Sequence, residues 1–391
     1  MPQLVKAKYR IRIKPNKRQL QQIMQFAGCS RFVYNHLLSI QNELYKSSSK
    51  LMNTKEMEAE IKTLKEEFDW LNDSSAVALQ QSRIDLQRAF TNFFKGCKGK
   101  YKQKYGYPKF KSRHSQISFR VPSNNGKVAI QDKNLKIPKI GLVKIKTRHM
   151  PEFLKLTSAT VIIEPSGKVY ASLTVEKYVT QKTQTGENAG IDLGLESFIT
   201  LSNGIKIPPF NYAKSNRNKI ASMDRKLSKM RDKLKKVSID YENASNYQAY
   251  KKKVAKYKTH IANKRKDALN KLTTQLVTKY DFIAVEDLNV KGMSKNHRLA
   301  YAIQDASWSM FTSMLEYKCK WYGKVFHKIN RFKPTSTLCS SCGTKHKEIV
   351  NSLDVREWVC PDCGTHHDRD VNAAVNILTV GINELVNTRC G

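Results

Sequence analysis

The sequence predicts a multidomain α+β protein. A small β-barrel is interrupted by a helical insertion, and a second domain of apolar strands and helices follows, carrying a basic helical hairpin and an inserted metal ribbon. Three observations predict it. At 391 residues the chain is too long for one typical core. Strict apolar/polar alternation at the N-terminus, and again between about 116 and 178, marks strands with one buried face. Two cysteine pairs between 339 and 363 interrupt text that otherwise reads as strand and helix. The charge narrows the partner: 70 Lys plus Arg against 33 Asp plus Glu give +37, which calls for a polyanion. An anionic membrane fits less well, because the basic residues are spread along the whole chain with no polybasic run beside an apolar anchor. No apolar run approaches the ~18 residues of a membrane span, and residues 1–14 lack a signal-peptide core. An intracellular protein is expected.

In order along the chain, VKAKYRIRIKPN sets Val5, Ala7, Tyr9, Ile11 and Ile13 on one strand face and Lys6, Lys8, Arg10, Arg12 and Lys14 on the other. Pro15 stops the strand, and Asn16 can cap the helix that follows. Residues 17 to about 96 read as helices with Leu20, Ile23, Met24 and Ala27, then Leu79, Ile84, Leu86, Phe90, Phe93 and Phe94, as core stripes. The stretch KGCKGKYKQKYGYPKFKSR (95–113) holds eight Lys or Arg, four aromatics and no acid. It suits a groove that tracks a nucleic-acid backbone while bases stack on rings, with Tyr105, Tyr107, Lys109 and Lys111 as contacts beside Lys8, Arg10 and Arg12. A flexible basic linker is the alternative. Alternating runs then resume, ending in a hairpin turned at Pro-Ser-Gly-Lys, before a polar linker over 181–186. Residues 214–280 carry 20 Lys or Arg against 5 Asp or Glu; Ile220, Met223, Leu227, Met230, Leu234 and Val237 step at heptad spacing, and Val254, Tyr257 and Ile261 resume the stripe, which predicts two antiparallel helices.

Cys339, Cys342, Cys360 and Cys363 form C-x2-C-x17-C-x2-C, the spacing of a closed tetrahedral zinc site, with Gly343 and Gly364 easing the turn after each second cysteine. Four sulfurs saturate such an ion, so His366 and His367 read as ordinary polar histidines. Cys29, Cys97, Cys319 and Cys390 read as buried small hydrophobes. Three carboxylates stand where apolar elements end or begin: Asp192 after AGI, Glu286 after FIAV, and Asp370 opening the helix DVNAAVNI. Side by side they would need a cation to offset their repulsion, and hard oxygen ligands suit Mg²⁺ or Mn²⁺. Asp287, Asp354, Asp362 and Asp368 read as caps or turn residues. Asp368 competes with Asp370, and the direct step from Asp370 into the helix favours the latter.

Together RFVYNHLL, YPKFK, GIDLGLESFITLSNG, IAVEDLNV, LEYKCKWYGKV, TSTLCSSCG and WVCPDCGTHHDRDVNAAVNI resemble, over nearly the whole chain and in order, the TnpB family of transposon-associated RNA-guided DNA endonucleases related to Cas12 effectors. The resemblance implies a wedge-type barrel (1–15 and 114–180) around a helical recognition insertion (16–113). After the linker it implies an RNase H-like RuvC nuclease domain (187–333 and 368–391) interrupted by a zinc ribbon (334–367). It implies a guide RNA made from the transposon end, target double-stranded DNA beside a short transposon-adjacent motif, and a prokaryotic, nucleoid-associated setting. It further implies two Mg²⁺ (or Mn²⁺) ions held by Asp192, Glu286 and Asp370, one structural Zn²⁺, and cleavage of both strands at one site. Gln80, in VALQQS, matches a family position near the motif-reading surface, although an exposed helix residue explains it equally. Nothing indicates protein oligomerisation. A nuclease-independent RNA-guided regulator, an unguided transposase or resolvase, and a zinc-containing DNA-binding protein share the basic character; the acidic set separates the enzymes from the rest.

Overall fold

The computed structural model describes residues 2–99, 105–112, 117–123, 126–147, 149–346 and 355–390. Part of the basic-aromatic stretch (100–104 and 113) and Asp354 lie outside them. The chain divides into two compact units: Leu4–Tyr178 forms one, and Val179–Gly391 together with Met1–Gln3 forms the other.

In the first unit, strand β1 (Pro2–Lys14) buries Val5, Ala7, Ile11 and Ile13 and turns Lys6, Lys8, Arg10, Arg12 and Lys14 outward, as its alternation predicts. Tyr9 is only half-buried, with its hydroxyl accepting a bond from Lys177. Helix α1 (Lys17–Ser48) starts at a capping box, Asn16 Oδ1 accepting from the Gln19 N–H while Gln19 Oε1 accepts from the Asn16 N–H. With α2 (Thr54–Glu67) and α3 (Ala76–Cys97) it builds a core around Val33, Leu37, Met57, Leu64, Leu79 and Phe90. One residue of the expected stripe is corrected: Met24 is exposed, and Phe26 takes its place against Phe119 with ring centroids 5.4 Å apart. The buried arc runs through Ile23, Phe26, Ala27, Ser30, Val33 and Leu37, and at ~100° per residue Met24 falls outside it.

Strands β2 (Ile117–Pro122), β3 (Ala129–Gln131), β4 (Asn134–Ile137), β5 (Gly141–Ile145), β6 (Lys155–Ile163) and β7 (Val169–Thr180) join β1 in one sheet of order β2-β6-β7-β1-β5-β4-β3. The three helices thus lie between the first strand and the rest, as an insertion should. The order is linear, with β2 and β3 at its ends, and a β2–β3 pairing that would close a barrel is not among the described ones. The β6–β7 turn uses Gly167 at φ +75°, where the missing Cβ removes the steric penalty.

The second unit holds a mixed sheet of order β10-β9-β8-β11-β12, built from β8 (Asn188–Asp192), β9 (Ile199–Leu201), β10 (Lys206–Ile207), β11 (Phe282–Glu286) and β12 (Val325–Ile329). The first three pair antiparallel, and β11 lies parallel between β8 and β12. Between β10 and β11 come α4 (Arg217–Lys236) and α5 (Ser245–Lys279); α6 (Val290–Met293), α7 (His297–Ala306) and α8 (Trp308–Tyr322) precede β12. Ala189, Ile191, Ile283 and Val285 pack with Leu276 and Val277 of α5 and Phe311 and Leu315 of α8. On the opposite face, Phe282, Ala284 and Ile329 meet Ile377 of α9 (Arg369–Cys390). Burial on both faces is why β8 and β11 read as unbroken apolar runs. The helical hairpin is as expected: Ile220, Met223, Leu227, Met230 and Leu234 are half-buried, and Val254 and Ile261 fully so. Val237 is corrected. It lies past the end of α4 and is exposed, because the helical period stops at Lys236.

The polar linker is anchored in this unit. The backbone N–H groups of Thr185 and Gly186 each donate to Asp281 at 2.7 Å, and buried Lys324 donates to both Thr183 O and Asp281. Among the described residues no helix is long and apolar enough to cross a membrane.

Candidate active site and metal centre

Asp192 and Glu286 are the last residues of adjacent parallel strands whose register pairs Ile191 with Val285, so both carboxylates leave the same edge of the sheet. That carboxyl end is where open α/β sheets bind ligands. Asp370 arrives from the other side, in the first turn of α9. All three line one solvent-open cavity of about 1380 Å³. Arg331, Lys333, Arg356 and Arg369 line it too, with Arg356 3.9 Å from Asp370 and 2.5 Å from Glu196.

The geometry separates Asp368 from Asp370. Asp368 accepts from the Asp370 N–H at 3.1 Å and the Val371 N–H at 3.0 Å, the bonds of a helix cap, and its other oxygen takes Lys206 at 2.6 Å. Burial would raise its carboxyl, but Lys206 and the two N–H groups outweigh that and hold it below the usual range. Asp287 pairs with Arg331, and Asp362 lies 3.6 Å from His346.

Desolvation pushes the Asp192 carboxyl up to about 7, with further contributions from Asp370 and Glu286 and a partial offset from Arg369. Burial, then Asp287, also raises Glu286. Such strain at a strand end marks a place where positive charge would be stabilising. The donor set, three hard carboxylates facing one cavity, fits Mg²⁺ or Mn²⁺. The carboxylates are not gathered within 4.8 Å of one another as the four cysteine sulfurs are.

The approach of α9 depends on glycine. A Cβ on Gly190 would lie 2.6 Å from the Leu378 nitrogen and closer still to the Ala374 carbonyl oxygen. A Cβ on Gly381 would meet Ala284 at 2.7 Å. Two buried asparagines on α9, unremarked in the sequence, tie the helix to the segment entering the ribbon. Asn372 donates to Leu338 O at 2.7 Å and accepts from the Ser340 N–H at 2.9 Å, while Asn376 donates to Thr335 O at 2.7 Å and Leu338 O at 2.6 Å. Their i, i+4 spacing within the otherwise apolar stretch 371–378 was the available signal.

The ribbon's two knuckles have the same geometry. The N–H of Gly343 bonds Cys339 O and that of Gly364 bonds Cys360 O, with φ of +79° and +68° at the two glycines. Sulfurs of Cys339 and Cys363 are 3.7 Å apart and those of Cys342 and Cys360 3.6 Å, so the cluster suits a tetrahedral thiolate site and suggests Zn²⁺. Strands β13 (Glu357–Val359) and β14 (His366–Asp368) pair beneath it and lead directly into α9. His367 corrects the expectation of an ordinary polar residue. It is buried, 3.0 Å from the Cys339 sulfur, because β14 turns it inward while neighbouring His366 points out. Buried His346 stands 3.2 Å from the Cys360 sulfur.

The other candidates fare unequally. Lys8 and Arg12 are exposed, as is Gln80 on α3. Arg10 is outward but engaged, paired with Glu164 and stacked 4.2 Å over Tyr170. Residues 105–112 are held against α1 rather than loose. Asn35 bonds the Lys111 backbone twice, and Tyr107 donates to Asn42 with its ring edge-on to Phe90 and Phe93. Lys111 is half-buried, its ammonium over the Tyr34 ring at 3.8 Å, and burial lowers its pKa. Tyr105 and Lys109 remain exposed. Of the scattered cysteines, Cys29 and Cys319 are buried and Cys97 is not, because it ends α3; the side chain of Cys390 lies outside the description.

Family models match three segments: "Cas12f1-like, TNB domain" over residues 308–377, "Probable transposase" over 168–297, and "Helix-turn-helix domain" over 1–50, where the structure has β1 and the single helix α1. A Streptomyces pristinaespiralis protein described as "Putative RNA-guided DNA endonuclease" is 35% identical over 100% of this chain and 92% of its own. An Escherichia coli K12 protein of the same description, InsQ, is 30% identical over 95% and 92%. A Cas12f1 chain solved with sgRNA and target DNA has the same fold, at a TM-score of 0.55 and 13% identity over 96% of this chain and 98% of that one. With a nearly full-length relative at 35% identity and three family segments in register, the chain belongs to the TnpB family, the OrfB proteins of IS605-type elements related to Cas12f.

Proposed function

We propose that this protein binds a guide RNA derived from its transposable element and cleaves guide-matched double-stranded DNA, beside a short adjacent motif, at the acidic cavity of a RuvC-type, RNase H-like domain. The observation that carries this reading is that cavity. Carboxylates 94 and 178 residues from Asp192 along the chain face it together, ringed by four cationic side chains. The five-stranded mixed sheet with helices on both faces supports the RNase H-like assignment, and the seven-stranded sheet with its three-helix insertion supports a wedge and recognition region.

In this reading Asp192, Glu286 and Asp370 hold two Mg²⁺ (or Mn²⁺) ions, which supply Lewis acidity to phosphodiester hydrolysis. Arg331, Lys333, Arg356 and Arg369 draw the phosphate backbone toward the carboxylates. Asp192 must give up any proton it shares at neutral pH before it can serve as a ligand, which follows from its raised carboxyl. Guide pairing reads sequence, while the basic α4–α5 hairpin, with 20 Lys or Arg over 214–280, contacts backbone charge. The four cysteines hold one structural Zn²⁺ and keep the ribbon folded.

The test is guide-directed plasmid cleavage alongside gel-shift binding of the same target. Asp192→Ala should bind guided DNA as the wild type does and leave it uncut. Cutting by that variant, or specific cutting by RNA-free wild type, would overturn the assignment.

A further inference from the structure

The cysteine segment is an internal repeat longer than its cysteines. CSSCGTKH (339–346) and CPDCGTHH (360–367) both read C-x2-C-G-T-x-H. The fold gives each repeated position the same task. In both knuckles the first cysteine's N–H bonds the threonine carbonyl at 2.9 Å, Cys339 to Thr344 and Cys360 to Thr365. Each threonine hydroxyl faces its own knuckle's second, exposed sulfur: Thr344 Oγ1 is 3.5 Å from Cys342 Sγ, and Thr365 Oγ1 is 3.2 Å from Cys363 Sγ. The histidines cross over. His367, from the second knuckle, reaches the buried sulfur of Cys339 in the first at 3.0 Å, and His346, from the first, reaches the buried sulfur of Cys360 in the second at 3.2 Å. Trp358 packs on both imidazoles, with centroids 4.6 Å from His367 and 5.8 Å from His346, which fixes their direction.

We propose that His346 and His367 are crossed positioning residues of the metal centre, each donating an Nε2–H hydrogen bond to the inner thiolate of the opposite knuckle. The inference rests on the cluster's holding Zn²⁺. Four thiolates around a dication leave two net negative charges, half of them on sulfurs that water cannot reach. The exposed pair has solvent and a threonine; the buried pair has a histidine. Neither imidazole belongs to the four-sulfur group: among the described residues His367 falls in no set of three donors within 4.8 Å, and His346 is grouped with Cys360 and Asp362 instead. Donors behind a metal ligand orient it and raise affinity, and losing one typically costs about 10–100-fold. Because each bond joins one knuckle to the other, the pair also makes the two halves close on a single ion together.

The test uses the full-length zinc-loaded protein, with zinc release to a chromophoric chelator and cysteine alkylation mapped by mass spectrometry. His367→Leu, similar in volume but lacking the donor, should speed zinc release about 10–100-fold and raise alkylation first at Cys339. His346→Leu should do the same first at Cys360. His→Gln at either position keeps an N–H and should restore most of the wild-type rate. In cobalt-substituted protein the sulfur-to-metal charge-transfer band should move in the Leu variants and return in the Gln variants. A general loss of folding would expose all four cysteines alike. A uniform rise with no rescue by Gln, a rise confined to each histidine's own knuckle, or no change in release would each overturn the crossed arrangement.

Discussion

Gly190→Ala adds one methyl group at the point where β8 meets α9. The new Cβ would sit 2.6 Å from the Leu378 nitrogen and 2.9 Å from its Cβ, with the Ala374 carbonyl oxygen nearer still. Ordinary contact needs roughly 3.5 Å, and the obstructing atoms are mainly helix backbone, which cannot rotate aside. The helix must therefore retreat by at least about 1 Å. Overpacking of this kind costs about 1–3 kcal/mol, and a backbone obstacle places it near 3. For a unit of this size that is a fall in Tm of about 6–12 °C. Function should suffer more than stability, because Asp370 lies one turn before Ala374 on the displaced helix. A 1 Å misplacement of a reacting group costs about 10²-fold in rate. Differential scanning fluorimetry and guided cleavage would be measured beside Gly28→Ala, where an added Cβ meets nothing within 4 Å. That control, in mid-α1, should be neutral or stabilising by up to about 1 kcal/mol. If Gly190→Ala melts and cuts like the wild type, the close approach that delivers Asp370 is wrong.

Other expectations follow from the same contacts. Lys324→Met leaves Asp281 without its buried partner and should cost about 3 kcal/mol in denaturant titration, the low end for a broken pair because the Thr185 and Gly186 N–H groups remain. Burial would raise Asp281, but Lys324 and those N–H groups hold it below its usual value, so the pair's contribution is complete above about pH 4 and fades as pH falls through the depressed folded value. The wild type should therefore lose more stability on acidification than Lys324→Met, and parallel acid curves would refute this. Asn376→Leu strands the buried carbonyl of Thr335 at about 1–3 kcal/mol, while Leu338 O keeps its bond from Asn372; limited proteolysis should then cut near 335–340, and unchanged protease resistance would count against the clamp. Cys342→Ser should lower zinc content and soluble yield before it alters the chemistry of intact protein, and a soluble, folded, metal-free variant would contradict a structural role.

Local pattern and covalent spacing decided much of this protein in advance. The alternation of β1, the Asn16 cap, the α4–α5 stripes and the paired cysteines are all features of local period and spacing, and each was readable from its own segment. The candidate acids were legible as types and positions; their convergence was expected only from the family resemblance, and no local pattern contained their sharing of one cavity. That depends on the parallel register of β8 with β11 and on α9 approaching close enough to need Gly190. Asp368 and Asp370 look alike in sequence, and only the helix start distinguishes a cap from a cavity wall. The inward turn of Lys111, the Asn372 and Asn376 clamp and the crossed histidines likewise join residues distant in sequence or buried by packing. A string of residue types carries period and spacing; which side of an element faces a partner, and at what distance, is settled only when the partner arrives.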